Sequence, residues 1–312
     1  LSVRLGLGDG TFPAQVSYRT GLNAAGGLHG QRLVLADLNA DSKLDLLVAT
    51  DQENAVDVFL GRGDGSLAPF VQYPQGQFTS AVAIGDFNGD GVPDMARGHH
   101  DGVFTSLLFG RGDGSFIATA AYPSGAGSRE LVSADLNGDR LADVVTLGDS
   151  GVLSVLLRRA DGSLGSETTY AVPRGNLQLA DLNGDGLPDI VTQWNLDVSV
   201  LLNRGDGMFA DGDAYATVME CAPVLLADFN GDGVPDMAAA HKYDAALELF
   251  LGRGDGTFAS AAVQPLMASQ AIAAGDLNGD GHTDLMATEG RGVDVFLGNG
   301  DGTFRRGASY LA

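Results

Sequence analysis

Residues 228–236 read DFNGDGVPD, and close copies of this acidic nonapeptide recur through the sequence every 46 to 49 residues. The copies begin at Asp37, Asp86, Asp135, Asp181, Asp228 and Asp276. Self-similarity at a fixed period of about 20–50 residues is the signature of a protein built from stacked structural repeats. The spacing therefore predicts six copies of one supersecondary unit.

A second motif, a Gly-Asp-Gly or Ala-Asp-Gly turn, alternates strictly with the acidic nonapeptide. Its seven copies are centred on Asp9, Asp64, Asp113, Asp161, Asp206, Asp255 and Asp301. Short strand-like stretches separate the two motifs, such as residues 82–84 before one acidic loop and residues 103–109 before the next turn. Each period therefore predicts four short strands, A to D, with the acidic loop joining A to B and the glycine turn joining C to D.

Four strands in about 40–50 residues, repeated in series, are typical of a β-propeller blade. The six acidic loops and seven glycine turns predict six full repeats from about residue 31 to 312, and an orphan C–D hairpin within residues 1–22. We expect residues 1–312 to form a single all-β domain, a seven-bladed β-propeller of four-stranded blades whose first blade is incomplete. Six blades with one extra hairpin are the alternative.

The composition excludes several classes of partner and activity. Acidic residues outnumber basic ones by 40 to 18, which gives a net charge of −22, so nucleic acid is not an expected partner. Asp or Gly interrupts every apolar run well before the roughly 18 residues of a membrane span, so no membrane insertion is expected. No zinc-protease, nucleophile-elbow or P-loop motif occurs in the sequence, and we predict a protein that is not an enzyme.

The acidic loops carry the ligands of a calcium site. In D-x-N-x-D-G-x-x-D, side-chain oxygens at positions 1, 3, 5 and 9 and the backbone carbonyl at position 7 can surround one cation. Calcium accepts about six to eight oxygen ligands, so the six loops predict about six Ca²⁺ ions. The expected ligands are Asp37, Asn39, Asp41, Lys43, Asp45, Asp86, Asn88, Asp90, Val92, Asp94, Asp135, Asn137, Asp139, Leu141, Asp143, Asp181, Asn183, Asp185, Leu187, Asp189, Asp228, Asn230, Asp232, Val234, Asp236, Asp276, Asn278, Asp280, His282 and Asp284.

Two loops depart from this pattern, because Ser42 and Arg140 stand where the others have glycine at position 6. We expect these two loops to bind calcium most weakly, since glycine permits the sharp turn there. An EF-hand is excluded, because no loop has a carboxylate at position 12. Asx turns without metal are the alternative interpretation.

The stretch DFNGDGVPDM at residues 228–237, followed by a strand and LFLGRGDGTF at residues 249–258, resembles the FG-GAP or VCBS-type repeat. This repeat occurs in the integrin α-subunit propeller and in many secreted bacterial proteins. The resemblance implies a seven-bladed propeller with calcium in the A–B loops of one face. Related propellers include a fungal lectin.

We therefore expect an extracellular, secreted or cell-surface, calcium-binding β-propeller that serves as a binding or adhesion module for protein or carbohydrate. A lectin is the more specific alternative. The other alternative is a non-catalytic scaffold domain of a larger secreted enzyme or surface protein.

The strand order predicts that the variable B–C and D–A loops lie opposite the acidic loops, where a rigid scaffold presents binding residues. The expected ligand-binding residues are His99, His100, Trp194, His241, Lys242, Tyr243, Glu289 and Arg291. Four glycine turns read Arg-Gly-Asp, at residues 62–64, 111–113, 204–206 and 253–255. The other three turns lack the Arg, so we interpret the tripeptides as turn structure.

Overall fold

A computed structural model describes residues 1–20, 31–50, 55–74, 79–99, 104–124, 127–159, 161–217, 220, 224–259, 262–266, 269, 271–289 and 292–311. The regular secondary structure in these residues consists of β-strands. The chain divides into two compact units. The first comprises Leu1, Ser17–Leu177 and Gly205–Met208, and the second comprises Ser2–Val16, Gln178–Arg204 and Phe209–Ala312.

A two-stranded hairpin opens the chain, and six four-stranded sheets follow it, which we number blades 1 to 6 in chain order. The hairpin consists of β1 (Ser2–Leu5) and β2 (Ala14–Ser17). Blades 1 to 3 belong to the first unit. Their strands are β3 (Gln31–Ala36), β4 (Asp45–Thr50), β5 (Ala55–Phe59), β6 (Val71–Pro74), β7 (Thr79–Gly85), β8 (Asp94–His99), β9 (Phe104–Gly110), β10 (Phe116–Pro123), β11 (Ser128–Ala134), β12 (Asp143–Gly148), β13 (Val152–Leu156) and β14 (Thr168–Ala171).

Blades 4 to 6 belong to the second unit and repeat the same order of strands. Their strands are β15 (Asn176–Ala180), β16 (Asp189–Trp194), β17 (Asp197–Asn203), β18 (Phe209–Ala216), β19 (Leu225–Ala227), β20 (Asp236–Ala240), β21 (Ala246–Phe250), β22 (Ala262–Pro265), β23 (Ile272–Gly275), β24 (Asp284–Glu289), β25 (Gly292–Gly298) and β26 (Phe304–Leu311).

Each blade is a meander in which consecutive strands pair. In blade 2, β7 pairs with β8, β8 with β9 and β9 with β10, all antiparallel. The acidic loop between the first two strands therefore lies at the same end of the sheet as the glycine turn between the last two. This arrangement confirms the predicted four-stranded repeat and its assignment of loops to strand connections.

The described residues form six four-stranded blades and a separate two-stranded hairpin, which matches the alternative of six blades with one extra hairpin rather than a seven-bladed propeller. The hairpin pairs with no other strand among the described residues, so it forms half of a blade. The reason lies in the sequence, because a seventh complete blade needs a seventh acidic loop between its A and B strands, and the chain carries six. The orphan hairpin predicted within residues 1–22 is present as β1 and β2, and residues 21–22 lie outside the described residues.

The core lies between the faces of consecutive blades. Strands β8 and β12 are buried along their whole length, because both faces of a second strand pack against neighbouring sheets. Between blades 1 and 2, Leu47 and Val56 lie in one cluster with Met95 and Leu108. The next cluster, between blades 2 and 3, contains residues from the opposite face of β8, such as Ala96.

A recurring tyrosine also links neighbouring sheets. Its hydroxyl accepts a hydrogen bond from the backbone N–H that follows the glycine turn of a neighbouring sheet, and we call these residues the turn-binding tyrosines. The pairs are Tyr18 with Leu67, Tyr73 with Phe116, Tyr215 with Phe258 and Tyr310 with Phe12. In the Tyr215 pair the N···O distance is 2.9 Å and the two rings meet edge to face, with centroids 5.4 Å apart.

Replacing Tyr215 by Phe is expected to lower the free energy of unfolding by about 1 kcal/mol, because the Phe258 N–H loses its acceptor while the ring contacts remain. Urea denaturation at pH 7 measures the change. Tyr243→Phe is the matched control, since Tyr243 is 77% exposed, and it should leave the stability unchanged. Equal stability of the two variants would show that the hydrogen bond contributes nothing.

Candidate metal and ligand sites

Each acidic loop is curled by hydrogen bonds from its own backbone to its own side chains. In blade 2, the two oxygens of Asp86 accept the N–H groups of Gly89 at 2.6 Å and Gly91 at 2.9 Å. The side-chain oxygen of Asn88 accepts the N–H of Asp90 at 2.8 Å. The same bonds recur in the loops that begin at Asp181, Asp228 and Asp276. Six sequence repeats thus produce a common loop with polar oxygens at positions 1, 3 and 5.

Position 6 of the loop requires a left-handed backbone. Gly91 has a φ of 79° there, and the substituted residues Ser42 and Arg140 are forced into the same region, with φ of 61° and 69°. A residue with a Cβ atom is strained in this conformation by about 1–2 kcal/mol. The backbone at position 6 therefore favours glycine, as the sequence predicts.

Position 9 of every loop is a fully buried aspartate whose two oxygens accept two backbone N–H groups. Asp94 accepts from Phe87, at position 2 of its own loop, at 2.8 Å, and from Gly110, at the end of strand β9, at 2.7 Å. The six residues are Asp45, Asp94, Asp143, Asp189, Asp236 and Asp284. Each of these carboxylates ties the start of the acidic loop to the third strand.

Burial raises the pKa of Asp94 and of Asp143 to about 6, although the two backbone hydrogen bonds act in the opposite direction. The pKa values of Asp189 and Asp236 are raised for the same reason. In all four, the aspartates at positions 1 and 5 of the same loop add to the rise by charge repulsion. A bound cation would relieve that repulsion.

The ligand atoms of the loops suit a hard cation. At positions 1, 3 and 5 they are all oxygens, from two carboxylates and one amide. Calcium would be held by these side chains and by the carbonyl at position 7. The described part of the chain contains no group of three or more His, Cys, Asp or Glu side chains gathered for a metal ion. The third carboxylate of each loop, at position 9, is engaged with the backbone, so its role as a ligand stays a prediction.

The aspartates of the glycine turns are all used in the same way. Asp64, in an Arg-Gly-Asp turn, accepts the N–H of Ser66 at 2.9 Å, and Asp301, in a turn without Arg, accepts the N–H of Thr303 at the same distance. The other five turns contain the equivalent bond. These bonds explain the repeated Asp without any ligand and support the interpretation of the tripeptides as turn structure.

The residues predicted for ligand binding differ in their exposure. Trp194, at the end of β16, is 39% exposed and Tyr243 is 77% exposed, while Lys242 is half-buried. His99 and His241 are buried. His100 and Arg291 lie outside the described residues, and Glu289 is described only in its backbone, which pairs with Gly292.

Both buried histidines are held within their own blades. The Nε2 atom of His99 lies 2.9 Å from the Ser106 hydroxyl, and its ring stacks at a tilt on Phe104 with centroids 4.4 Å apart. The Nε2 atom of His241 lies 3.4 Å from Glu248. Neither ring is presented at the surface, so Trp194, Lys242 and Tyr243 are the accessible members of the predicted set.

Comparison with known families agrees with the repeat seen in the strands and loops. The model of the FG-GAP-like repeat matches residues 37–96, 135–192, 181–239, 228–287 and 276–312. The chain belongs to the FG-GAP-like repeat family. These matches begin at the first Asp of five acidic loops. No curated protein sequence matches the chain.

Several solved structures share the propeller fold. An Agrocybe aegerita lectin that recognises non-reducing terminal N-acetylglucosamine aligns with 99% of this chain and 89% of its own, at 20% identity and a TM-score of 0.69. BBS1N in complex with ARL6DN aligns with 90% of this chain and 81% of its own, at 10% identity and a TM-score of 0.63. A Lactobacillus plantarum protein aligns with 90% and 82%, at 14% identity and a TM-score of 0.56. At these identities the likeness shows the fold alone.

The described residues of this FG-GAP-repeat chain include no helix with the length and hydropathy of a membrane span.

His99 is expected to contribute a loss of stability on acidification. Burial, and next the charge of Arg97, lower the pKa of His99 to about 4, below its ordinary value of about 6.5. Between these two values the unfolded chain binds a proton that the folded protein does not, so stability falls as the pH drops from about 6.5 to 4. The loss reaches roughly 3 kcal/mol. The raised pKa values of the buried aspartates act in the opposite direction over this interval, so the contribution of His99 is measured by urea denaturation of the wild type and of His99→Gln at pH 7 and pH 4.5.

The His99→Gln variant should lose less stability than the wild type over the same pH interval, because it lacks the titrating ring. His282→Gln is the control, since His282 is exposed, and it should follow the wild type. Parallel curves for wild type and His99→Gln would contradict the assignment.

Proposed function

We propose that this FG-GAP propeller is a calcium-stabilised extracellular module that binds glycan or protein ligands and catalyses no reaction. The observation that carries the proposal is the set of acidic loops, which repeat one oxygen-only donor pattern at equivalent places in six blades. Each loop would hold one Ca²⁺ through positions 1, 3, 5 and 7. Clustered carboxylates at a net charge of −22 favour binding of divalent cations.

The extracellular location is proposed from the calcium affinity that such loops need. Extracellular modules bind calcium with dissociation constants of roughly 10⁻⁴–10⁻³ M, far above the concentration in the cytosol. Loops with only two carboxylates outside the buried position 9 belong in this weak range. Calorimetric titration should count about six sites in that range, and two or fewer sites at millimolar calcium would overturn the proposal.

The ligand-binding role rests on the propeller scaffold and on its relatives. The Agrocybe aegerita lectin recognises terminal N-acetylglucosamine, and BBS1N forms a complex with ARL6DN, so propellers of this fold bind both carbohydrate and protein. A lectin is the more specific candidate, because the lectin aligns with almost the whole chain. Trp194 offers an exposed ring of the kind that stacks on sugars and anchors protein interfaces.

A glycan array in calcium-containing buffer, followed by titration of the best ligand, tests this role. Trp194→Ala is expected to weaken binding about tenfold or more, since truncation of an aromatic anchor costs about 2 kcal/mol. The calcium-dependent stability of this variant should equal that of the wild type, because Trp194 lies outside every acidic loop.

A double variant, Asp64→Ala with Asp113→Ala, tests the Arg-Gly-Asp turns as the alternative binding surface. If it lost binding while Trp194→Ala retained it, the Arg-Gly-Asp turns would be the binding surface, and the assignment to the opposite end of the blades would be wrong.

A further inference from the structure

Blade 6 contains a pocket of about 240 Å³ between its two last strands. The pocket lies at the end of the sheet away from the acidic loop, because its lining includes Gly292, the first residue of β25, and Leu311, the last residue of β26. This is the end where the sequence predicts ligand binding. The polar side chains of the lining are Asp294, Arg306 and Ser309, and we call this site the Asp294 pocket.

Asp294 is 5% exposed, and only one of its two oxygens is engaged. Its Oδ1 atom accepts hydrogen bonds from the hydroxyl of Ser309 and from Nη2 of Arg306, the latter at 3.4 Å. Its Oδ2 atom accepts no hydrogen bond from the described residues. Because Asp294 lines the pocket, this oxygen can accept a hydrogen bond from a molecule bound there.

Arg306 supplies the complementary groups. Its side chain is 56% exposed and forms an ion pair with Asp294, and the guanidinium has further N–H groups that can donate to a ligand. Tyr310 is held in place at the rim, because its hydroxyl accepts the N–H of Phe12 at 2.7 Å and Arg4 lies over its ring. The pocket therefore has a hydrogen-bond donor, Arg306, and an acceptor, Asp294, close to the ring of Tyr310.

Residues at the equivalent position of other blades contact side chains of their own blade. Asp294 is the third residue of strand C in its blade and pairs with the fourth residue of strand B. In five of the blades the residues at this position are Asp57, Ser106, Ser154, Glu248 and Asp294. The first four contact a side chain of their own blade, which is Gln72, His99, Glu167 or His241 respectively. Asp294 likewise contacts Ser309 and Arg306 of its own blade, and it also lines the described pocket.

We propose that the Asp294 pocket binds a neutral sugar ring through two adjacent hydroxyl groups, one donating to Oδ2 of Asp294 and the other accepting from Arg306. A hydroxyl both donates and accepts, so two neighbouring hydroxyls match a carboxylate–guanidinium pair. The opposite charges of that pair cancel, and the pocket therefore favours a neutral ligand over an ion. This inference rests on the proposed ligand-binding function and specifies its chemistry.

The volume of the Asp294 pocket limits the size of its ligand. Sites for drug-sized molecules measure about 300–1,000 Å³, so this smaller pocket takes a single ring. The open rim allows the rest of a glycan to extend into solvent. The pocket would thus recognise the terminal unit of a glycan.

Calorimetry and saturation-transfer NMR with methyl β-N-acetylglucosaminide and methyl α-mannoside test the proposal on the calcium-loaded chain. Asp294→Asn is expected to weaken the binding of the better glycoside about tenfold, because a hydrogen bond to a charged oxygen is lost. Arg306→Gln should weaken it several-fold. The matched control is Asp57→Asn, at the equivalent position of blade 1 and equally buried, which should bind within twofold of the wild type.

Wild-type affinity in both Asp294→Asn and Arg306→Gln would overturn the proposal, and so would failure of both glycosides to bind the wild type. If Asp294→Asn does not fold, the affinity of Arg306→Gln decides the result, because Arg306 is exposed. Retained binding of an array ligand that depends on Trp194 but not on Asp294 would exclude this pocket and leave the proposed function standing. Loss of every ligand on the array and of every protein ligand would remove the proposed function itself.

Discussion

Chelation of calcium is expected to lower the free energy of unfolding by roughly 8 kcal/mol. An ion that binds only the folded state stabilises it by RT ln(1 + [L]/Kd), which is about 1.4 kcal/mol at ten times the dissociation constant, and six independent sites add. The sum is comparable with the whole stability of a typical domain, about 5–15 kcal/mol. Thermal unfolding in excess EDTA should therefore occur more than about 10 °C below the midpoint measured at 10 mM calcium.

Two loops serve as internal controls for this experiment. The loops that begin at Asp37 and Asp135 have Ser42 and Arg140 in the left-handed position, and we expect them to bind most weakly. Asp232→Ala, in a loop with glycine at both positive-φ positions, should therefore cost more calcium-dependent stability than Asp41→Ala. A melting temperature that is the same in EDTA and in calcium would show that the acidic loops fold without metal.

Asp94→Ala is expected to destabilise the calcium-free protein by about 4 kcal/mol. The carboxylate is fully buried and accepts the N–H groups of Phe87 and Gly110, so its removal leaves two buried donors unpaired, at about 1–3 kcal/mol each. Urea denaturation in EDTA at pH 7 measures the loss without any contribution from calcium.

The matched control is Asp90→Ala, four residues earlier in the same loop and exposed. In EDTA it should cost less than about 1 kcal/mol, since exposed groups contribute little. In calcium, Asp90→Ala should cost more stability than in EDTA, because Asp90 is a predicted calcium ligand. If the two variants were equally stable in EDTA, the buried aspartate would not be the structural link that its hydrogen bonds indicate.

The period of the sequence was sufficient to predict the four-stranded blade, because the acidic loop and the glycine turn mark both connections at one end of each sheet. It was also sufficient to predict the orphan hairpin. The seven-bladed prediction was not matched, since counting turns does not say whether a lone C–D pair belongs to a further blade or is an additional hairpin. That outcome depends on which strands are available to pair.

The buried aspartate at position 9 shows a different limit. Its invariant spacing from the loop is visible in the sequence, but the same spacing suits a metal ligand and a backbone acceptor equally well. The Gly110 N–H that Asp94 accepts lies 16 residues away and is brought close only by the pairing of the second and third strands, and the role of the aspartate as a metal ligand stays a prediction. His99 is a similar case, because the alternation along β8 does not reveal that Phe104 and Ser106 cover its ring.

The turn-binding tyrosines have a consequence for how such a chain can grow. Each repeat that carries one presents a hydroxyl acceptor at one side, and each glycine turn presents a backbone donor to the sheet before it. A repeat duplicated as a whole therefore brings both halves of the contact and leaves neither group unpaired at the new junction. A duplication shorter or longer than one period would bring one of the two groups without the other and leave it unpaired. Lengthening by whole periods is therefore the kind of growth that preserves these contacts.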